Sequence, residues 1–282
     1  MPANEASLRI TDSYRAQLLG HRTALQRALT ASWATVAIED LDGTGAAWLV
    51  VAEQLVASGK RRAVTFSRRY LATYTGSELG RTVDPVDLDP DEYARGALDG
   101  RRLRDVLVPA IITVKSALLE QRGRGLALQM GAGRMQRVAA VEVAAAARHS
   151  LSDAMRHTGN VAGWRRATTS NPCGACLAAA TGAVRDTAEI PDVHAHCRCI
   201  AEPVIRGIRD RHSRPTGEQI FHALSEAEQD ALFTGRGGRA KAELIRTGAV
   251  DLEQLLSRSP MATVADQITE TPLSALRATA AR

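Results

Sequence analysis

Apolar residues recur every three or four positions in two early stretches of the chain, which is the spacing of an amphipathic helix. The first stretch runs from Leu8 to Thr30 and the second from Ala46 to Ser58. Between them lies the sequence DGTG, Asp42 to Gly45, whose small and polar residues are typical of a turn. The pattern predicts a helical hairpin within residues 1–80.

Prolines and glycines divide the next part of the chain. Residues 81–96 contain two prolines and five acidic residues, so we expect an acidic connector that breaks the helices and marks a subdomain boundary. Residues 97–160 predict long, alanine-rich helices, interrupted at Pro109 and by the glycine and arginine run from Gln121 to Arg137. Four later positions are expected to form one packing face: Val138, Val141, Ala145 and Leu151.

The pattern after the middle of the chain predicts shorter helices. Ser225 and Glu228 form the S-x-x-E pattern of a capping box, which predicts a helix that starts after Leu224. Gly248 is a helix stop, and residues 207–258 are therefore predicted to be a C-terminal helical region. Residues 259–282 are mostly polar or small and predict a loosely held tail.

Composition supports a mainly α fold. Aromatic residues make up only 4% of the chain while alanine and leucine are abundant, a balance that favours helices over a β-sandwich or barrel. With 282 residues, 45% of them hydrophobic, the chain can close a core without cross-links. The first residues lack the plan of a signal peptide and no apolar run is long enough to span a membrane, so we expect a soluble protein made in the cytoplasm.

The chain carries a modest positive charge of +5, supplied almost entirely by arginine. Four of these arginines surround Phe66 and Tyr70: Arg61, Arg62, Arg68 and Arg69. They predict the basic outer face of an amphipathic helix or, alternatively, a docking surface for phosphate or for an acidic partner.

All four cysteines lie in one window, which has the form C-x2-C, then a loop, then H-x-H-C-x-C. Two short chelating pairs joined by a loop suit a tetrahedral ion, because each pair supplies two soft ligands. We therefore predict a small irregular zinc-knuckle module over residues 161–206, with a structural Zn²⁺ ion. Disulfide or redox pairs and simple packing of the cysteines are the alternatives. The candidate ligands are Cys173, Cys176, His194, Cys197 and Cys199, with the fourth ligand either Cys199 or His194.

Several enzyme classes lack part of their signature in this sequence. Zinc nucleobase deaminases share P-C-x-x-C but also need an upstream H-x-E or C-x-E, and neither His149 nor His157 is followed by the required glutamate. A thioredoxin-like C-x-x-C would leave Cys197 and Cys199 unexplained. The scattered glycines do not form a dinucleotide-binding turn, and the sequence contains neither G-x-S-x-G nor H-E-x-x-H. The sequence therefore assigns no catalytic residue.

The stretches GWRRATTSNPCGACLAAATG and HAHCRCIAEPV together resemble the phage Mu F-like head morphogenesis proteins, or minor capsid proteins, in the form found in tailed phages of actinobacteria. The resemblance covers about Gly163 to Leu256. One departure is the second histidine of HAHCRC, which leaves the choice between Cys199 and His194 open. The matching positions are Trp164, Cys173, Cys176, Gly182, His194, Cys197, Cys199 and Pro203.

This resemblance implies a structural role in the virion, in the capsid interior or at the portal vertex, in capsid assembly and in DNA packaging and delivery. The implied partners are the portal protein and the major capsid or scaffold protein, and no membrane is involved. Relatives are often labelled capsid maturation proteases, so processing of capsid or scaffold protein is the alternative function. A further possibility is sequence-independent contact with packaged double-stranded DNA, through the four arginines around Phe66 or through the run from Arg122 to Arg137.

Overall fold

A computed structural model describes residues 5–97, 99–169, 172–189, 197–208, 214–233, 237–258 and 268–281. The chain is mainly helical, as predicted. None of the described helices combines the length and the apolar character that a bilayer-spanning segment needs.

Six helices form the body of the protein, with α1, α2, α5 and α6 packed side by side. Their bounds are α1 Glu5–Trp33, α2 Leu41–Leu79, α3 Pro90–Ala94, α4 Leu103–Leu107, α5 Pro109–Leu119 and α6 Arg124–His157, and a short 3₁₀ turn, Ile38–Asp40, precedes α2. At the centre, the rings of Trp33 and Trp48 meet edge to face at 4.7 Å. Every residue of α6 from 138 to 148 is buried, because the run of small alanines lets neighbouring elements approach this helix from several sides. The packing face predicted on α6 is confirmed.

The predicted hairpin is present, but its turn lies earlier than expected. The side chain of Asp40 accepts a hydrogen bond from the amide of Gly43 at 3.0 Å and caps α2. This cap places the DGTG sequence in the first turn of α2, and the reversal falls on residues 34–37 instead. The helix also continues well beyond Ser58 and ends only at Gly80, whose φ of 65° is accessible to glycine at little cost.

The glycine and arginine run does not interrupt the helices as predicted, because most of it lies inside α6. Pro109 does mark a break, since it occupies the first turn of α5, where a missing amide hydrogen is tolerated. A side chain at Gly131 would lie within 3 Å of Val114, Trp33 and the carbonyl oxygen of Ala110. This glycine therefore allows α6 to pack closely against α1 and α5.

We expect Gly131→Ala to lower the free energy of unfolding by about 1–3 kcal/mol, because the added methyl group overpacks the contact with Trp33. Gly133→Ala is the matched control in the same helix, since its added methyl group has no neighbour within 4 Å. We expect that control to raise stability by up to about 1 kcal/mol through helix propensity. Urea denaturation of both variants measures the difference, and equal effects would show that Gly131 has no packing role.

A buried ion pair joins α2 to α6. The ammonium group of Lys60 lies 2.8 Å from a carboxylate oxygen of Glu142, and both side chains are almost completely inaccessible to solvent. Lys60 also donates a hydrogen bond to the carbonyl oxygen of Gly96. Because buried charges are costly unless paired, this contact fixes the position of each helix relative to the other.

The acidic connector folds back onto α2 instead of separating two units. Asp91 pairs with Arg61, and the Arg68 guanidinium donates hydrogen bonds to the carbonyl oxygens of Val86 and Leu88. A single hydrophobic core contains residues from both sides of the connector. The connector also contains α3, which begins at Pro90. The expected subdomain boundary at residues 81–96 is therefore not a boundary between separately packed cores.

The C-terminal region forms a second, smaller helical cluster around Phe221 and Leu255. Ser225 and Glu228 form the predicted capping box at the start of the helix Glu226–Leu232. The elements of this part are α8 Gly217–Ala223, α9 Glu226–Leu232, α10 Gly238–Arg246, a 3₁₀ turn Leu252–Leu255, β3 Leu256–Arg258, β4 Ile268–Glu270 and α11 Leu273–Ala280.

The described part of the predicted tail is not loosely held. Strand β4 pairs antiparallel with β3, and Leu276 of α11 is almost completely buried. The carboxylate of Glu270 lies 2.9 Å from the ammonium group of Lys241 in α10. The tail lacked a periodic apolar pattern because only one large side chain of α11 enters the core.

Candidate metal centre

Two antiparallel strands form the frame of the cysteine module, which we define as residues 161–206. Strand β1 spans Val161–Ala167 and β2 spans Ile200–Ile205, so part of this segment is regular structure and not the irregular knuckle predicted. Trp164 lies directly opposite Pro203 in the ladder. The buried indole nitrogen of Trp164 donates hydrogen bonds to the carbonyl oxygens of Asp186 and Glu189. These bonds hold the loop that contains residues 185–189 against the sheet.

Gly163 is required where this loop crosses the sheet. A side chain at this position would lie 2.4 Å from the carbonyl oxygen of Arg185. The close approach allows the backbone groups of Trp164 and Arg185 to exchange two hydrogen bonds, at 3.0 and 2.9 Å. The sheet and the loop therefore form one small packed unit.

The structure brings three of the predicted ligands together. Cys176 lies in the short helix α7, Gly174–Ala178, whereas Cys197 and Cys199 lie just before β2. The sulfur atoms of these three residues all lie within 4.8 Å of one another, and all three side chains are buried. The sulfur atoms of Cys176 and Cys197 are 3.4 Å apart, and none of these three cysteines forms a disulfide.

The fourth cysteine lies at the edge of this group. Cys173 is the residue before α7 and is exposed. Its side chain is hydrogen-bonded to that of Cys176, and it lines an open cavity together with Cys176 and Cys199. The other candidate, His194, lies outside the described residues.

The arrangement fits a tetrahedral thiolate site. With Zn–S bonds near 2.3 Å, two sulfur ligands of one zinc ion lie roughly 3.8 Å apart, which is compatible with the Cys176–Cys197 separation of 3.4 Å and with the 4.8 Å within which all three sulfur atoms lie. Cys173 is the candidate for the fourth position, because its side chain is hydrogen-bonded to that of Cys176. The site can therefore hold a soft cation, and the described residues there supply no carboxylate or imidazole ligand.

Two of the thiols, those of Cys176 and Cys199, have raised pKa values. Hydrogen bonds to Cys173, Cys197 and Cys199, together with burial, raise the pKa of Cys176 well above its usual value. For Cys199, the hydrogen bond with Cys176 lowers the pKa, but the hydrogen bond with Cys197 and burial outweigh it and raise the pKa to about 12. A metal ion would have to displace these protons, so its affinity should increase with pH.

Three arginines attach the Cys197–Cys199 segment to the helical body. Arg22 of α1 donates to the carbonyl oxygen of Cys197 at 2.9 Å, and Arg148 of α6 donates to the sulfur of Cys197 at 2.8 Å. Arg15 of α1 donates to the carbonyl oxygens of Arg198, Ala167 and Thr168. Burial, and after it the nearby charge of Arg148, lowers the pKa of Arg22 to about 10.

Sequence reasoning did not find these arginines. Arg15 and Arg22 are seven residues apart and so lie on one face of α1, a weak signal in an arginine-rich chain. Arg148 follows a run of buried alanines, and a long charged residue on an otherwise apolar helix face is the signal that could have identified it.

Comparisons with models of protein families, with curated proteins and with solved structures found no match to this chain.

Proposed function

We propose that this chain is a minor capsid protein of a tailed phage, of the Mu F-like head morphogenesis type. It would act at the portal vertex or on the inner face of the head, where it would contribute to capsid assembly and to packaging and delivery of DNA. Its direct partners would be the portal protein and the major capsid or scaffold protein. The role is structural, and the cysteine module is the part that carries it.

The observation that supports this proposal is the spatial grouping of the residues that carry the family resemblance. Trp164 and Pro203 face each other across the sheet, and Cys176, Cys197 and Cys199 converge beside it. Residues that are widely separated in sequence thus belong to one unit, as expected if the pattern describes a working module and not a chance match.

We further propose that the module holds one structural zinc ion through Cys173, Cys176, Cys197 and Cys199. Cys199 is preferred over His194 because its sulfur lies within the buried group of three. When bound, zinc would supply a cross-link between α7 and the segment before β2, without catalysis. Such a cross-link makes a small module rigid enough to serve as a docking surface.

A role in binding packaged DNA has less support from the structure. Arg61 and Arg68 are engaged by the acidic connector, and Arg122 and Arg124 form ion pairs with glutamates. On α2, Arg61, Arg62 and Arg69 are exposed, and any contact of these side chains with duplex DNA would be sequence-independent and weaken steeply with salt.

The proposed function predicts that the chain binds the portal protein of the same phage. Co-expression of a tagged chain with that portal protein and with the major capsid protein should yield a complex that contains portal assemblies. The variant Gly163→Val, which would clash with the carbonyl oxygen of Arg185 and unseat the loop, should lose this complex, whereas Gly159→Val, with open space around its added atoms, should retain it. Failure of the parent chain to capture portal protein or capsid protein would contradict the proposal.

The same co-expression tests the alternative function, a capsid maturation protease. Intact mass spectrometry of the major capsid protein should show its full length if the role is structural. Ser150 is a poor candidate nucleophile because its buried hydroxyl donates to the carbonyl oxygen of Ala147 within α6. Shortening of the capsid or scaffold protein that depends on this chain would favour the protease.

A further inference from the structure

We propose that Arg148 is a positioning residue of the metal centre, which holds Cys197 through a hydrogen bond to its sulfur and balances the negative charge of the thiolates. This inference rests on the proposed metal-binding function of the cysteine module. It goes further by assigning to the centre a residue of the helical body, from the buried stretch of α6.

The contact between Arg148 and Cys197 is short and enclosed. The Nη2 atom of Arg148 lies 2.8 Å from the sulfur of Cys197 and 3.4 Å from the carbonyl oxygen of Cys199. The side chain of Arg148 is only 7% exposed. One guanidinium nitrogen therefore contacts both cysteines of the C-x-C pair, and the planar group limits the directions that the Cys197 sulfur can take.

The charge of Arg148 needs a partner, and the side chain that it contacts is the thiol of Cys197. Among the residues that the structure describes, no carboxylate lies within ion-pair distance of Arg148, and its buried Nη1 atom has no hydrogen-bond acceptor. A buried cation without a counter-charge is strongly unfavourable. Four thiolates and one divalent cation carry a formal charge of −2, so a loaded centre would supply the missing counter-charge.

The competing explanation is that Arg148 merely docks the segment, as Arg15 does. Arg15 donates to the carbonyl oxygen of Arg198 in the same segment and to those of Ala167 and Thr168 at the end of β1, and it contacts no sulfur of the described cysteines. The two arginines therefore form a matched pair, since removal of either one loosens the docking but only Arg148 touches a ligand atom.

The test compares zinc and cobalt binding by the full chain and by the variants Arg148→Met, Arg148→Lys and Arg15→Met. Competition with a chelator of known affinity should show a 10- to 100-fold loss of zinc affinity in Arg148→Met, the range typical for loss of a group that orients a metal ligand. Arg148→Lys keeps the charge and one donor and should recover part of the loss. Arg15→Met should bind zinc with nearly the parent affinity.

Cobalt provides a readout that docking alone would not change. A hydrogen bond to a thiolate stabilises its lone pairs, so its loss should move the sulfur-to-cobalt charge-transfer band of Arg148→Met to longer wavelength, with the band of Arg15→Met unchanged. If Arg148→Met does not fold, the band and affinity of Arg148→Lys decide, because the lysine changes the sulfur contact without removing the charge.

Two results overturn the inference while leaving the proposed function intact. In the first, the parent chain binds zinc, and neither the zinc affinity nor the cobalt spectrum changes in Arg148→Met or Arg148→Lys. In the second, Arg148→Met and Arg15→Met lose the same amount of zinc affinity. A parent chain that binds neither metal would instead contradict the metal-binding function itself.

Discussion

Replacing Cys197 by serine is expected to abolish stoichiometric zinc binding and to loosen the cysteine module. The sulfur of Cys197 contacts both the sulfur of Cys176 and the guanidinium of Arg148, so its loss removes a ligand and the contact that orients it. Because a structural zinc ion contributes directly to folding free energy, the variant should also unfold at lower temperature. Elemental analysis of purified protein should find about one zinc ion per parent chain and almost none per variant chain.

His194→Ala and Cys173→Ser serve as the comparison pair for the fourth ligand. If the site consists of four cysteines, His194→Ala should retain zinc and Cys173→Ser should bind it more weakly. If His194→Ala instead binds zinc more weakly and Cys173→Ser retains it, the fourth ligand is His194 and not Cys173. A parent chain that is free of metal, and equally stable with and without a chelator, would contradict the zinc site.

Lys60→Met is expected to lower the free energy of unfolding by about 3–5 kcal/mol, because it leaves the carboxylate of Glu142 buried without its counter-charge. Chemical denaturation measures this loss. Lys115→Met is the matched control, since Lys115 also forms an ion pair between two helices, with Asp42, but both side chains are largely exposed. Exposed pairs contribute little, so the control should remain close to the parent in stability.

The double variant Lys60→Met with Glu142→Leu separates the energy of the pair from the cost of an unpaired charge. It should recover most of the loss, because two apolar side chains of similar size replace both charges. If the double variant is as unstable as Lys60→Met alone, the loss arises from the packing of Lys60 and from its bond to Gly96, and not from the charge of Glu142.

The helical content of this fold was predictable because apolar periodicity and alanine content act locally. The limits of the helices were harder to predict, since they depend on single interactions. The side chain of Asp40 caps α2, so this helix begins earlier than the apolar pattern indicated. Gly131 lies inside α6 because only a residue without a side chain fits where this helix approaches Trp33. The packing of the connector against α2 could not be predicted either, because it depends on the ion pair between Arg61 and Asp91, which are distant in sequence.

The cysteines of the candidate site could be predicted from the sequence, but the residues that surround them could not. Cysteine spacing identified Cys176, Cys197 and Cys199 because chelation imposes a short separation within each pair. The contacts of Arg22 and Arg148 depend on which helix faces pack against the module, and no local pattern encodes that choice.

Helix α6 carries Glu142 and Arg148 on its buried stretch, less than two turns apart. Glu142 pairs with Lys60 of α2, and Arg148 contacts both cysteines of the C-x-C pair. If the cysteine module separated from α6, Arg148 would remain as an unpaired cation in the same helix that carries the Lys60–Glu142 ion pair. We therefore expect the amino-terminal bundle and the cysteine module to unfold together as one cooperative unit, although they lie far apart along the chain.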